Sequence, residues 1–141
     1  MKDPNAASHP ESGLFGLDCH PQDAQIVIIA VPFDATTSYG HGTAMGPEAI
    51  LQASHQIELM DLDVGEPYKK GIVLIDAPQK IHMLNAEART LVKEYRERTY
   101  AKEEDSSLLE KIDSLCSTLN DWLYTETSSW LQRGRSVIAL G

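Results

Sequence analysis

Three short runs of apolar, mostly β-branched residues stand out along the chain. They cover residues 25–31, 71–75 and 136–140. None of them alternates apolar with polar positions, and continuous apolar runs of this length are typical of strands buried on both faces of a parallel sheet. A fourth run, at residues 57–62, carries two acidic residues and therefore predicts a short strand at a sheet edge.

The segments between these runs carry helical signals. Residues 46–54 begin with Gly-Pro-Glu, which predicts a helix because proline suits the first helical position and an acidic residue suits the first turn. Asn85 is predicted to cap a helix over residues 86–103, whose many charges we interpret as a solvated face. Ser107 and Glu110 form a capping box that opens a longer helix. Its apolar residues recur at helical spacing: Leu108, Ile112, Leu115, Leu119, Trp122 and Leu123.

This order of elements predicts an α/β fold, in which a mostly parallel sheet is flanked by helices and the crossovers are right-handed. We interpret the two tryptophans as packing residues. Residues 23–141 would form the domain, and residues 1–22, rich in Pro, Ser and Gly, a flexible N-terminal extension. The alternative is an arm that docks on the domain or on a neighbouring subunit through Leu14 and Phe15.

The chain is acidic, with 12 basic and 21 acidic residues among 141 and a formal net charge of −9. This balance disfavours nucleic-acid binding through a broad basic face. The sequence has no apolar run near the ~18 residues that a membrane span needs and no apolar signal core, so we expect a cytoplasmic protein without a membrane partner. Cys19 and Cys116 are too few for a disulfide scaffold, which fits reduced thiols.

Candidate chemistry concentrates in the loop at residues 32–46, because ligands of open α/β sheets bind beyond the carboxyl ends of the strands. This loop contains Asp34, Thr36, Thr37, Ser38, Tyr39, His41 and three glycines. His41 could be a metal ligand or a general base, although a single loop histidine is more often only hydrogen-bonded. Asp34 could orient a substrate or simply cap a turn. No segment has several His, Asp or Glu residues at metal-site spacing, and the glycines match no phosphate-binding motif.

The loop and its flanks also carry a set of short motifs. They are Ile29-Ala30-Val31-Pro32-Phe33-Asp34, Thr37-Ser38-Tyr39, Gly42, and Gly46-Pro47-Glu48-Ala49-Ile50. Together these motifs resemble the opening of the agmatinase-type ureohydrolases, in the arginase superfamily. Residues 71–76 and 136–141 resemble the next strands of that family, so the resemblance covers residues 24–141.

The resemblance implies an arginase-like three-layer α/β fold that is incomplete in this chain. It also implies a hydrolase that cleaves a linear C–N bond of a small guanidino compound, releases urea, holds two Mn²⁺ ions and forms a homo-oligomer. In the family the ions activate a bridging hydroxide. All of the family's metal ligands would lie beyond Gly141, so no catalytic residue and no metal ligand is assigned. We expect this chain alone to bind no manganese and to be inactive.

The resemblance assigns the loop a shaping role rather than a chemical one. The residues that match the segment over the family's active-site mouth are Ser38, Tyr39, His41, Gly42 and Gly46. Arginine is usual in the family at the positions of Gly40 and Ala44, and its loss leaves the substrate open among agmatine, arginine, a guanidino acid and guanidine.

Two alternatives remain open at this point. The chain could be a non-catalytic half-domain or interaction module that pairs with a separately encoded C-terminal half. It could also be a nucleotide-binding α/β protein, although it lacks a phosphate-binding motif. The reading frame after codon 141 distinguishes a truncated enzyme from a split one. In either case the last strand is expected to have an unpaired edge that promotes association.

Overall fold

The computed structural model describes residues 9, 11–101 and 106–141. Within them the chain forms one three-stranded sheet with helices packed against it. The strands are β1 (Ile26–Ala30), β2 (Ile72–Ile75) and β3 (Ser136–Leu140), and the helices are α1 (Gly46–Ser54), α2 (Gln79–Tyr100) and α3 (Ser106–Gln132). The α/β fold expected from the sequence is therefore confirmed, as an arginase-like arrangement of a parallel sheet flanked by helices.

The sheet has the order β2-β1-β3, and both pairs of strands are parallel. Val27 of the central strand lies opposite Val73 on one side and Val137 on the other. Val27 and Ile29 are almost fully buried, as the continuous apolar run predicts for a central strand. β2 and β3 are less buried than their sequences predict, because each pairs on one side only within the described sheet. Ile138 of β3 is 49% exposed.

The core lies between the sheet and the two long helices. Trp122 and Trp130 of α3 pack on the sheet residues around Ile29, which confirms the packing interpretation of both tryptophans. Ile81 of α2 packs against Leu119 of α3 in a second cluster. Burial of each such side chain stabilises the fold by roughly 1.5–3 kcal/mol, so these contacts fix α2 relative to β1. None of the described helices combines the length and the apolar character that a membrane span requires.

The predicted strand at residues 57–62 is wrong. The segment is an exposed loop, and Leu62 is 93% exposed. Its β-type pairing is one isolated antiparallel bridge between Asp61 and Gly65. The Asp61 Oδ1 accepts the backbone N–H groups of Asp63 (2.8 Å) and Val64 (3.0 Å). A side chain that bonds its own backbone in this way closes a turn and competes with strand pairing.

The predicted start of the charged helix is also wrong. α2 begins at Gln79, with Pro78 at the N-cap, so Asn85 lies inside the helix rather than at its cap. The side chain of Asn85 is buried and accepts a hydrogen bond from the backbone N–H of Asp34, 51 residues away. This long-range bond explains why a residue typical of helix caps stands inside the helix. His82 also lies in this helix. The predicted end at residue 103 falls outside the described residues.

The boundaries of the other elements agree closely with the sequence. α1 has the predicted bounds, and α3 begins one residue before the capping-box serine Ser107. Gly134 ends α3 with a φ of 74°, a conformation that favours glycine after a helix. Glu94 and Arg98 on the charged face of α2 form an ion pair, with the two atoms 2.5 Å apart.

Part of the predicted extension 1–22 packs on the domain. Leu14–Gly16 forms a short 3-10 turn against α1 and β2, and its leucine is buried. The Phe15 N–H donates to Ser54 Oγ (2.8 Å). His55 Nε2 lies within 3.2 Å of the carbonyl oxygens of Ser12 and Gly13. The first eight residues and residue 10 lie outside the described residues.

The outer edge of β3 is predicted to make the isolated chain associate. The Ser136 N–H donates to the Gln25 carbonyl beside β1 (2.9 Å). Strand residues alternate, so the N–H groups of Val137 and Ala139 point away from β1. No other described strand pairs with that edge, and an unpaired edge is a template for a further strand. We expect dimers or larger species in sedimentation velocity.

Ala139→Pro tests this prediction, since it removes an outward N–H without removing a bond to β1. We expect the variant to sediment closer to the monomer. The matched control, Ala139→Ser, keeps the N–H and should associate like the unchanged chain. Circular dichroism establishes that both variants fold. A compact monomer for the unchanged chain would contradict the prediction.

Candidate functional site

The candidate site is the loop at residues 31–45, which joins the carboxyl end of β1 to α1. Parallel sheets place ligand sites at this end of their strands. The loop curls around the carboxylate of Asp34, a residue that is 1% exposed. An ionised carboxylate in so buried a place needs several hydrogen bonds or a counter-charge.

Asp34 has both. Its Oδ2 accepts the backbone N–H groups of Gly42 (2.7 Å) and Ala44 (3.3 Å) within the loop. Its Oδ1 accepts from Arg89 Nε (2.6 Å) and Asn85 Nδ2 (3.2 Å) on α2, and Arg89 also binds through its second guanidinium nitrogen. The backbone N–H of Asp34 donates to Asn85 Oδ1 (3.0 Å). One carboxylate therefore ties the glycine-rich loop to a helix more than 50 residues further along the chain.

These bonds decide the charge state of Asp34. Burial by itself would raise the pKa of the carboxyl group, but the hydrogen bonds from Arg89, Gly42, Asn85 and Ala44 outweigh it and hold the pKa well below its usual range. Asp34 is consequently ionised throughout the physiological pH range. It cannot act there as a general acid, and its role is to hold the loop.

The predicted mouth residues all lie in or beside this loop, in three different environments. Gly42 bonds the Asp34 carboxylate and has a φ of 135°, which favours glycine. His41 Nδ1 lies 3.4 Å from the Asp34 carbonyl oxygen. Ser38 and Tyr39 are exposed, the tyrosine at 98%, and Gly46 is the first residue of α1. The structure thus brings two of the five next to Asp34.

Three residues of α2 support the loop in a way that the sequence does not predict. The sequence predicts that Asn85 caps the helix and that Arg89 and Arg96 belong to a solvated face. Arg96 instead donates to the Thr37 carbonyl (2.7 Å). Steps of four and seven place the three residues on one face of the helix. A polar stripe at that spacing is the signal that could have identified them.

A cleft of about 660 Å³ lies beside the loop. Its walls are the start of α1, the carboxyl ends of β1 and β2, and the first half of α2. Its ionisable side chains are Glu48, Asp76, His82 and Arg89, and its apolar ones include Met45, Pro47 and Leu51. The cleft is therefore wide enough for a small molecule, and its lining is partly apolar.

The described residues do not fit the two-manganese centre that the resemblance implies. Across residues 9, 11–101 and 106–141, no three His, Cys, Asp or Glu side chains come together as a metal site would require. Glu48, Asp76 and His82 share a cleft without converging on one point. No step of a metal-assisted reaction can be assigned to these side chains.

Asp34→Asn is expected to destabilise the chain by about 3 kcal/mol, because it leaves the Arg89 guanidinium beside a neutral group in a partly buried site. Urea unfolding followed by circular dichroism measures the change. The matched control is Asp63→Asn in the exposed loop, which should change the free energy of unfolding by less than about 0.5 kcal/mol. Equal stability of the two variants would refute the structural role of Asp34.

The same carboxylate should make stability depend on pH. Because the pKa of Asp34 is lower in the folded chain than in the unfolded one, its contribution is fully present above the unfolded pKa of about 3.9. The contribution is lost as the pH falls below that value. We expect the free energy of unfolding in urea to decrease from about pH 5 to pH 3, and to decrease less in Asp34→Asn. Parallel pH profiles for the two proteins would contradict this assignment.

Comparison with known proteins gives a consistent result. The model of the Arginase family matches residues 24–141. An N(1)-aminopropylagmatine ureohydrolase of Synechocystis is 49% identical over 43 residues, which are 30% of this chain and 14% of that protein. Proteins of the same name from Thermus thermophilus and Thermococcus kodakarensis are 32% and 42% identical over 78 and 50 residues. These matches cover 55% and 33% of this chain.

The matched segments span 27% of the Thermus protein and 17% of the Thermococcus protein, so the similarity covers about a quarter or less of each relative. No solved structure matches the chain. Because the family match extends over residues 24–141, the chain belongs to the Arginase family.

Proposed function

We propose that this chain forms the first part of a ureohydrolase-type enzyme, which hydrolyses a guanidino compound and releases urea. The observation that carries the proposal is the family match together with the loop held by Asp34 at the carboxyl end of β1. The loop lies where α/β enzymes bind their substrates. Its glycine-rich backbone can approach a ligand closely.

The proposed substrate is a guanidino compound that also carries an alkylamine. The relatives from Synechocystis, Thermus and Thermococcus are all named for N(1)-aminopropylagmatine. The loop of this chain has Gly40 and Ala44 where agmatinase-type loops usually have arginine. Two fewer cations at the mouth favour a substrate with more positive charge, since like charges repel.

The proposed role of the described residues is to bind and orient the substrate. Asp34 and Arg89 hold the loop in one conformation, and Arg96 holds its middle through the Thr37 carbonyl. A loop held in place before binding loses less entropy when the substrate arrives. The proposal retains the two Mn²⁺ ions of the family, with ligands that the described residues do not supply.

We therefore expect the 141-residue chain alone to release no urea from agmatine, N(1)-aminopropylagmatine, arginine or guanidine in the presence of Mn²⁺. A chimera in which residues 24–141 replace the segment of the Thermus protein that corresponds to them in the Arginase family model is expected to release urea from N(1)-aminopropylagmatine. A colorimetric urea assay measures both. The intact Thermus protein is the positive control, and circular dichroism shows whether the chimera folds. Urea release by the isolated chain, or a folded but inactive chimera, would contradict the proposal.

The alternative is a half-domain that works only with a separate C-terminal partner. The unpaired edge of β3 in the described sheet favours it, because that edge can accept a strand from another chain. Mixing the isolated chain with a separately purified C-terminal part of the Thermus protein distinguishes the two. Urea release on mixing supports the half-domain, and release by the chimera alone supports a single-chain enzyme.

A further inference from the structure

The cleft beside the loop carries negative charge without a counter-charge. Its lining includes Glu48, in the first turn of α1, and Asp76, directly after β2. Neither carboxylate forms an ion pair with any residue in the described part of the chain. The polar contact found for Glu48 is a 3.4 Å hydrogen bond from the Gln52 side-chain amide.

The cation in the lining does not neutralise this charge. The guanidinium of Arg89 binds the buried carboxylate of Asp34 through two of its nitrogens, so its charge is balanced there. The cleft and the loop therefore use carboxylates in opposite ways. Asp34 is buried and paired, whereas Glu48 and Asp76 are exposed residues that line the cleft and form no ion pair among the described residues.

The rest of the lining restricts which cation fits. Met45, Pro47 and Leu51 line the cleft together with small residues at the ends of the strands. Apolar side chains stabilise methylene groups, and carboxylates stabilise ammonium groups. A volume of about 660 Å³ lies in the range of small-molecule sites. A flexible alkyl chain with two or more positive charges matches all three features.

We propose that this cleft binds the protonated alkylamine part of a guanidino-polyamine, with Glu48 and Asp76 paired to its ammonium groups. This inference deepens the proposed function and rests on it for the identity of the ligand. It assigns Glu48 and Asp76 as specificity-determining residues, distinct from the loop residues held by Asp34. The class of ligand is a linear polycation; an amino acid such as arginine carries a carboxylate that these two side chains repel.

Isothermal titration of the 141-residue chain with spermidine, agmatine and arginine tests the proposal without any turnover. We expect spermidine to bind more tightly than agmatine, and arginine to bind least. Glu48→Gln and Asp76→Asn should each weaken spermidine binding by about fivefold, and the double variant should weaken it further. Circular dichroism establishes that each variant is folded.

Glu58→Gln and Asp63→Asn are the matched controls, because they remove the same charges from an exposed loop that does not line the cleft. We expect each control to change spermidine affinity by less than about twofold. Equal losses in the controls would show general attraction to an acidic chain and overturn the proposal. Unchanged binding in the double variant, or no binding to the unchanged chain, would overturn it as well.

The binding experiment tests the polyamine site, and the urea assay of the chimera tests the proposed function, so either claim can be refuted without the other. If Glu48 and Asp76 determine spermidine affinity while a folded chimera releases no urea, the polyamine site stands and the proposed function fails. If the chimera releases urea while the double variant binds spermidine normally, the proposed function stands and the cleft is not the amine site.

Discussion

The loop depends on one electrostatic constraint, the buried charge of Asp34. A carboxylate without water is tolerated only where hydrogen bonds and a counter-charge replace its hydration. Here the loop backbone supplies two donors, and α2 supplies an amide and a guanidinium. Because these donors come from both sides, the loop can keep its conformation only while α2 keeps its place.

The position of α2 is in turn set by packing. Ile81 and Leu84 of α2 contact Leu119 of α3, and α3 contacts the face of the sheet through its two tryptophans. Apolar packing is not directional, so it holds the helix against the core but does not by itself fix the orientation of the helix. The ion pair between Asp34 and Arg89 adds the direction that packing lacks, since a guanidinium binds a carboxylate in a fixed planar geometry.

The difference between local signals and long-range side-chain bonds explains how much could be predicted from the sequence. The central strand, β3 and α1 follow from local signals, namely continuous apolar runs and a Pro-Glu helix start, and the loop follows from its place after β1. The partners of Asp34 lie more than 50 residues away, so no local pattern indicates them. The sequence predicts Asn85 as a helix cap because asparagine is common at caps, and the sequence alone does not show that its side chain bonds across the fold. The sequence also predicts a strand at residues 57–62, but there the Asp61 side chain bonds the backbone and closes a turn.

The acidic balance of the chain acquires a more specific meaning in the structure. Residues 1–84 hold 11 of the 21 acidic residues and only four of the 12 basic ones. Of the carboxylates near the carboxyl end of the sheet, Asp34 is neutralised by Arg89, whereas Glu48 and Asp76 form no ion pair among the described residues. The cation that α2 contributes is used to hold the loop and leaves the neighbouring cleft negative. The interaction that orders the loop thus also leaves the carboxylates of the adjacent cleft without a counter-charge, and the proposed polyamine site depends on that charge.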